Sequence, residues 1–271
     1  MLRSACDLGA IAFSLPADSE AFARVVRLTR DASGLWLTPG MDFTASELAE
    51  CNFVQVACTR TVRETDKDYA RNKAVLDRSP EVVTGPDTRI RLLEGITLSR
   101  LALKPNEVAH LDEWAEEYVL GQGVTQSFRD DGLDGFETRP VLDGRTGDPY
   151  GIYHQLYTRS ILPPALLDAS TFELPISTPT DRSYRQMGFL TYEPRALAEA
   201  AHFNRTAEPW AGTAIPSWVV RRGVAESFRR HKLKGWRFKP VLEANGPAYA
   251  DYLEQWRRLY GLMSANPRNF F

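Results

Sequence analysis

The chain has 271 residues, 43% hydrophobic and 25% charged, the proportions of a folded globular protein and not of a disordered tail. Its formal net charge of -2 gives no global electrostatic reason to bind nucleic acid or an anionic membrane, so a charge-driven partner must be met locally. Cys6, Cys51 and Cys58 are an odd number of cysteines without CxxC spacing, which argues against a disulfide framework and a zinc ribbon and for a reducing, cytoplasmic compartment.

Residues 1–17 place Arg3 ahead of a short apolar run that Asp7 interrupts. Whether they are ordered chain or a processed segment is left open, since the run is short and poorly delimited for a signal peptide. Residues 18–30 carry Phe22, Val25 and Val26 at helical spacing behind Asp18 or Ser19 as a cap. Thr44-Ala45-Ser46-Glu47 is a capping-box pattern opening a short helix, and the β-prone run 53–62 predicts one strand. A polar helix over 65–78 is expected at the surface, with Tyr69, Ala70, Ala74 and Val75 among its few apolar positions.

Gly85-Pro86-Asp87 predicts a turn, and runs 90–93 and 96–103 around Glu94-Gly95 predict a hairpin. Residues 106–117, with Asn106 as cap and Val108, Leu111 and Trp114 on one face, predict a helix. Run 150–162 alternates as a strand, and the polar, proline-containing stretch 173–186 predicts a loop. Pro194 opens a helix over 195–202, and 247–262 stacks Tyr249, Tyr252, Trp256 and Tyr260 as a core-facing stripe.

The strongest internal signal is a repeat. Segment 118–143 (YVLGQGVTQSFRDDGLDGFETRPVLD) aligns without gaps on 218–243 (WVVRRGVAESFRRHKLKGWRFKPVLE), with 11 of 26 positions identical. Each reads as strand, helix and strand, with Val124 or Val224, Phe128 or Phe228 and Leu133 or Leu233 facing inward and Gly135 or Gly235 stopping the helix. Trp236 and Phe238 alternate with Arg237 and Lys239, which places Pro240 at a strand end or edge. The chain is therefore read as α+β, a mixed sheet with packed helices, divided into an N-terminal region 1–110 and a duplicated region 111–271.

Chemistry-bearing motifs are sparse. His110, His154, His202 and His231 lack HxxxH or HExxH spacing, and neither a P-loop, GxSxG nor a dinucleotide glycine fingerprint occurs, so no metal, cofactor or catalytic residue is assigned. The repeat copies differ mainly in charge. Positions 121–139 hold Arg129 and Arg139 against Asp130, Asp131, Asp134 and Glu137, while 221–239 hold eight Lys or Arg against Glu226. Three readings follow: complementary faces packed together, a solvated face, or a cluster of Arg221, Arg222, Arg229, Arg230, Lys232 and Lys234 that engages an acidic partner.

The second half, FNRTAEPWAG with PSWVVRRGVAESFRRHKLKGWRFKPVLE and YADYLEQWRRL, resembles the myxobacterial double-CXXCG paralogues, the SitI-type immunity proteins. The resemblance spans 50–262 and is strongest over 188–257. It implies a cytoplasmic, non-catalytic protein that binds and neutralises a cognate polymorphic toxin, with neither nucleic acid nor membrane as partner. Asn204, Arg205, Thr206, Glu208, Trp210, Gly235, Trp236 and Pro240 are its motif residues here, read as structural. Neither CXXCG element is present, so no zinc carries over. The alternative is an enzyme handling phosphate beside Arg205, Glu208 and the basic copy, and a third reading is a nucleic-acid-binding module.

Overall fold

The structure is a computed structural model and describes residues 3–5, 10–12, 15, 19–31, 45–84, 88–114, 116–166, 176–177, 182–183, 189–209, 215–252 and 254. It forms two compact units, 42–246 and the combination of 1–41 with 247–271. In the latter, β1 (Arg3–Ala5) pairs antiparallel with β2 (Ala10–Ala12), and α1 (Glu20–Asp31) follows. The Ser19 hydroxyl accepts the Phe22 amide at 3.1 Å, satisfying one orphan donor of the first turn. Residues 247–252 are helical as expected, whereas Trp256 and Tyr260 lie outside the described residues.

The larger unit runs through α2 (Ala45–Glu50), β3 (Phe53–Cys58), β4 (Thr61–Val62), α3 (Asp66–Arg78), β5 (Val82–Val83), β6 (Arg89–Ile90), β7 (Ile96–Leu98) and β8 (Val108–Leu111). It continues with β9 (Tyr118–Gly121), α4 (Gln122–Asp130), β10 (Glu137–Asp143), β11 (Pro149–Tyr157), β12 (Ile176–Ser177), β13 (Arg182–Ser183) and β14 (Thr191–Tyr192). The last elements are α5 (Pro194–Ala198), β15 (Phe203–Pro209), β16 (Pro216–Arg221), α6 (Arg222–Arg230) and β17 (Trp236–Glu243). Two mixed sheets carry it, ordered β4-β8-β9-β11-β10-β7 and β14-β17-β3-β16-β15. The fold is α+β. The expected boundary at 110 is crossed by both sheets, because β7 and β8 pair with later strands and β3 sits between β16 and β17.

Side chains of a strand alternate between its faces, so each sheet contributes one face to a shared core and one to a core of its own. The shared core joins Val108, Tyr118, Leu120 and Leu156 of the first sheet to Val54, Val56, Phe203, Trp218, Val220 and Trp236 of the second. Val124 and Phe128 of α4 and Val224 and Phe228 of α6 fill it. The opposite face of the first sheet, with Ile96, Leu98, Ala109, Leu111, Val119 and Val141, packs with Leu76 of α3. That of the second, with Phe53, Val219 and Val241, packs with Leu197 of α5 and with Leu190.

Several expectations change. Residues 108–111 form a strand rather than a helix: Val108, Ala109 and Leu111 are all buried between β4 and β9, so tertiary pairing overrides the helical spacing of Val108, Leu111 and Trp114. The run 53–62 is two strands in different sheets, parted at Thr59-Arg60. β6 pairs with β5, and β7 runs parallel to β10, so the pair around Glu94-Gly95 is no hairpin; the turn at 85–87 lies outside the described residues. Within 173–186, β12 and β13 pair. The buried face of α3 is Asp68, Asn72 and Leu76, and its polar members are satisfied by Ser99 and by Thr97 and Glu64.

Both repeat segments adopt strand, helix and strand. Each helix ends in the same hydrogen-bond pattern: Leu133 N–H to Phe128 O and Gly132 N–H to Arg129 O in one, Leu233 to Phe228 and Lys232 to Arg229 in the other. That pattern needs a left-handed residue after the helix, which is Gly132 at φ 65° and Lys232 at φ 52°. Gly135 and Gly235 also have positive φ, but they turn the chain into β10 and β17 rather than ending the helix. Pro240 lies inside β17, opposite Val54 of β3, where β14 does not reach because it pairs only with Leu242 and Glu243.

Candidate functional site

The six cations proposed for partner binding divide into two groups. Arg221 is half-buried and donates to the carbonyls of Ala198 and Ala200, with its guanidinium 5.0 Å from the Phe53 ring. Arg222 pairs with Glu226 at 3.3 Å and donates to Ala49 O. Arg230 reaches Asp131 at 2.5 Å, and His231 reaches its other oxygen at 3.1 Å. The side chains of Ser227, His231 and Arg230 beside it hold the Asp131 carboxyl below its ordinary range. These three arginines work inside the fold.

Arg229, Lys232 and Lys234 are different. All three are exposed, and none has a carboxylate partner within ion-pair distance among the described residues. They follow one another along the chain from the last turn of α6 through the loop that precedes β17. Arg237 and Lys239, also exposed, alternate with Trp236 and Phe238 and so project from the other face of the strand.

The motif residues Asn204, Arg205, Thr206 and Glu208 lie on β15, whose residues are all buried. Asn204 accepts from Ser160 Oγ and from the Ala201 amide and donates to the carbonyls of Ala201 and Val219. The Thr206 hydroxyl accepts the Ser217 amide at 3.1 Å. Arg205 is 1% exposed; it pairs with Glu117 at 2.9 Å, donates to Glu116 O and Pro216 O, and lies 4.0 Å from the Trp218 ring. Glu208 accepts the Ala165 amide at 3.0 Å, and burial pushes its carboxyl up to about 7. Burial likewise raises Glu116 to about 7 against the opposing pull of Arg205.

Arg205 and Glu208 engage different partners. The guanidinium binds Glu117 and two carbonyls while its buried Nε has no hydrogen-bond partner, and its aromatic cover is Trp218, while Trp210 lies outside the described residues. Gly235 and Trp236 are structural: a Cβ on Gly235 would meet Val108 O at 1.9 Å, and Trp236 stacks on Phe228 at 4.9 Å. Sequence reading named Arg205 but missed Glu117, which lies 88 positions away. An Arg within the strand 203–209 and a Glu just before the strand 118–121 are the signal in the sequence, and it does not specify the pairing.

Asp134, Gly135, Glu199, Ala200, Ala201, His202 and Arg221 line an open groove of about 550 Å³. His202 Nδ1 lies 2.6 Å from Asp134 Oδ1, and the backbone amides of both residues donate across the same joint. This contact ties the loop after α4 to the start of β15. Among the described residues, no three His, Cys, Asp or Glu side chains gather in a metal-binding arrangement. No helix among them is long and apolar enough to cross a membrane. Compared with known proteins, the chain matches no family model and no curated protein.

Proposed function

We propose that this protein is a non-catalytic immunity protein that binds and neutralises a cognate bacterial toxin, with Arg229, Lys232 and Lys234 in the rim of its interface. One observation supports the reading above the others. Lys232 stands at φ 52°, where the matching position of the first repeat segment is Gly132 at φ 65°. A left-handed backbone costs a non-glycine residue roughly 1 kcal/mol. No carboxylate offsets that cost within the described fold, so retaining a charged side chain there points to use outside it.

The SitI-type resemblance supplies the class of partner, and an acidic surface is what three adjacent cations would recognise. Inhibition would follow from covering the toxin's active site or locking its conformation. Co-expression with the product of the neighbouring gene tests this: the two should co-purify and growth should be restored. Failure of both would remove the reading. Retention on nucleic acid that falls steeply between two salt concentrations would reassign the same cations to a polyanion.

A further inference from the structure

We infer that residues 53–143 and 153–243 are two tandem copies of one unit that have exchanged their first strands. The repeat visible in the sequence covers only the last part of each copy. The sheets extend it. At the centre of the first sheet, Gln155 of β11 stands opposite Val119 of β9 and Arg139 of β10. At the centre of the second, Gln55 of β3 stands opposite Val219 of β16 and Lys239 of β17. Each set becomes the other by a displacement of 100 residues, both pairings being antiparallel in both sheets.

The match continues outward. β8 lies antiparallel on β9, with Ala109 opposite Val119, as β15 lies on β16, with Asn204 opposite Val219. β7 runs parallel to β10, with Thr97 opposite Leu142, as β14 runs parallel to β17, with Thr191 opposite Leu242. Thr61 bridges His110 as Ile161 bridges Arg205, both in parallel. A slip of one residue would turn a strand's side chains to the opposite face, so a common register over five strands is a strong constraint.

Only the connectivity is crossed. β3 precedes the first repeat segment in the chain yet completes the sheet of the second, and β11 precedes the second yet completes the sheet of the first. Contacts between the halves are reciprocal, as across a two-fold axis. Gly135 abuts Ala201, His202 and Phe203, while Gly235 abuts Val108, the register counterpart of Phe203. Matched positions also meet each other: Phe128 and Phe228 with ring centroids 6.3 Å apart, Tyr118 and Trp218 at 5.9 Å. The chain is built as a dimer fused in one polypeptide, in which neither copy holds a complete sheet alone.

The test uses the full chain with a protease site inserted in the 144–148 turn, where the Arg145 side chain is 70% exposed. After cutting, the two pieces should co-elute at the mass of the intact protein and unfold in one transition. Separation in native buffer into two folded species, or two transitions, would overturn the inference. If the inserted variant does not fold, hydrogen exchange on Gln55→Pro and Gln155→Pro decides. The first should lose amide protection at 216–221 and 236–243, and the second at 118–121 and 137–143. Protection lost only in the opposite sheet in each case would overturn the exchange.

Discussion

Residues 121–139 and 221–239 occupy matching places in the fold and spend their charges differently. In the first segment the acids serve the fold: Asp131 takes Arg230 and His231, and Asp134 takes His202. In the second, Arg221, Arg222 and Arg230 are held by acceptors of the chain, while Arg229, Lys232 and Lys234, like Arg237 and Lys239, have no carboxylate within ion-pair distance among the described residues. Most positions identical in both segments, such as Val124/Val224, Phe128/Phe228 and Gly135/Gly235, pack or turn, whereas Arg129/Arg229 is identical and exposed in both. The shared apolar residues and glycines build the unit, and most of the differing charges distinguish its two ends.

The largest break in the comparison is expected at Arg205, whose register counterpart is His110. Arg205→Leu leaves Glu117 as an uncompensated buried charge and should cost about 3–5 kcal/mol in urea unfolding. His110→Leu removes a hydrogen bond with Thr61 at 2.9 Å on a half-buried ring and should cost about 1 kcal/mol. Next come the paired glycines. Gly235→Ala drives a Cβ into the Val108 carbonyl at 1.9 Å, whereas Gly135→Ala meets the Ala201 Cβ at 2.4 Å. Backbone yields less than a methyl group, so about 3 kcal/mol is expected for the first and about 1–2 kcal/mol for the second, read as shifts in denaturation midpoint.

A pH series reads the buried Glu208 carboxyl. Burial raises Glu208 from 4.5 to about 7 in the folded protein. The folded state then keeps a proton that the unfolded chain has released, so this contribution is full below about pH 4.5 and is lost as pH rises through about 7. Glu208→Gln should flatten the fall in stability over that window by about 2 kcal/mol. Urea unfolding at the two ends of the window checks the sign. The smallest effect is at the ends of the matched helices: Lys232→Gly should stabilise by about 1 kcal/mol and Gly132→Lys should destabilise by a similar amount.

The strand-helix-strand segments were legible in the sequence because their apolar positions and glycines recur at one spacing. The inward Val124, Phe128, Val224 and Phe228 could be assigned from that pattern alone. Residues 108–111 could not, since Val-Ala-His-Leu is too short for its period to separate strand from helix, and its burial between β4 and β9 decides. The face of α3 was misread for a related reason: Asp68 and Asn72 are buried because Ser99 and Thr97, far along the chain, supply their hydrogen bonds. In the candidate site, the sequence showed the cations but not which were engaged. Carbonyl acceptors for Arg221 and the Asp131 partner of Arg230 come from other elements brought near only by folding.

The affinity of the purified protein for the proposed toxin partner, compared between two charge reversals at matching places, tests the proposed role of the second segment most directly. Arg229→Glu combined with Lys232→Glu and Lys234→Glu should raise Kd by about tenfold or more, about 1.4 kcal/mol, without altering the circular dichroism spectrum. Arg129→Glu in the first segment should leave Kd unchanged. Equal affinities for the triple variant and the unaltered protein would contradict an interface built on these cations.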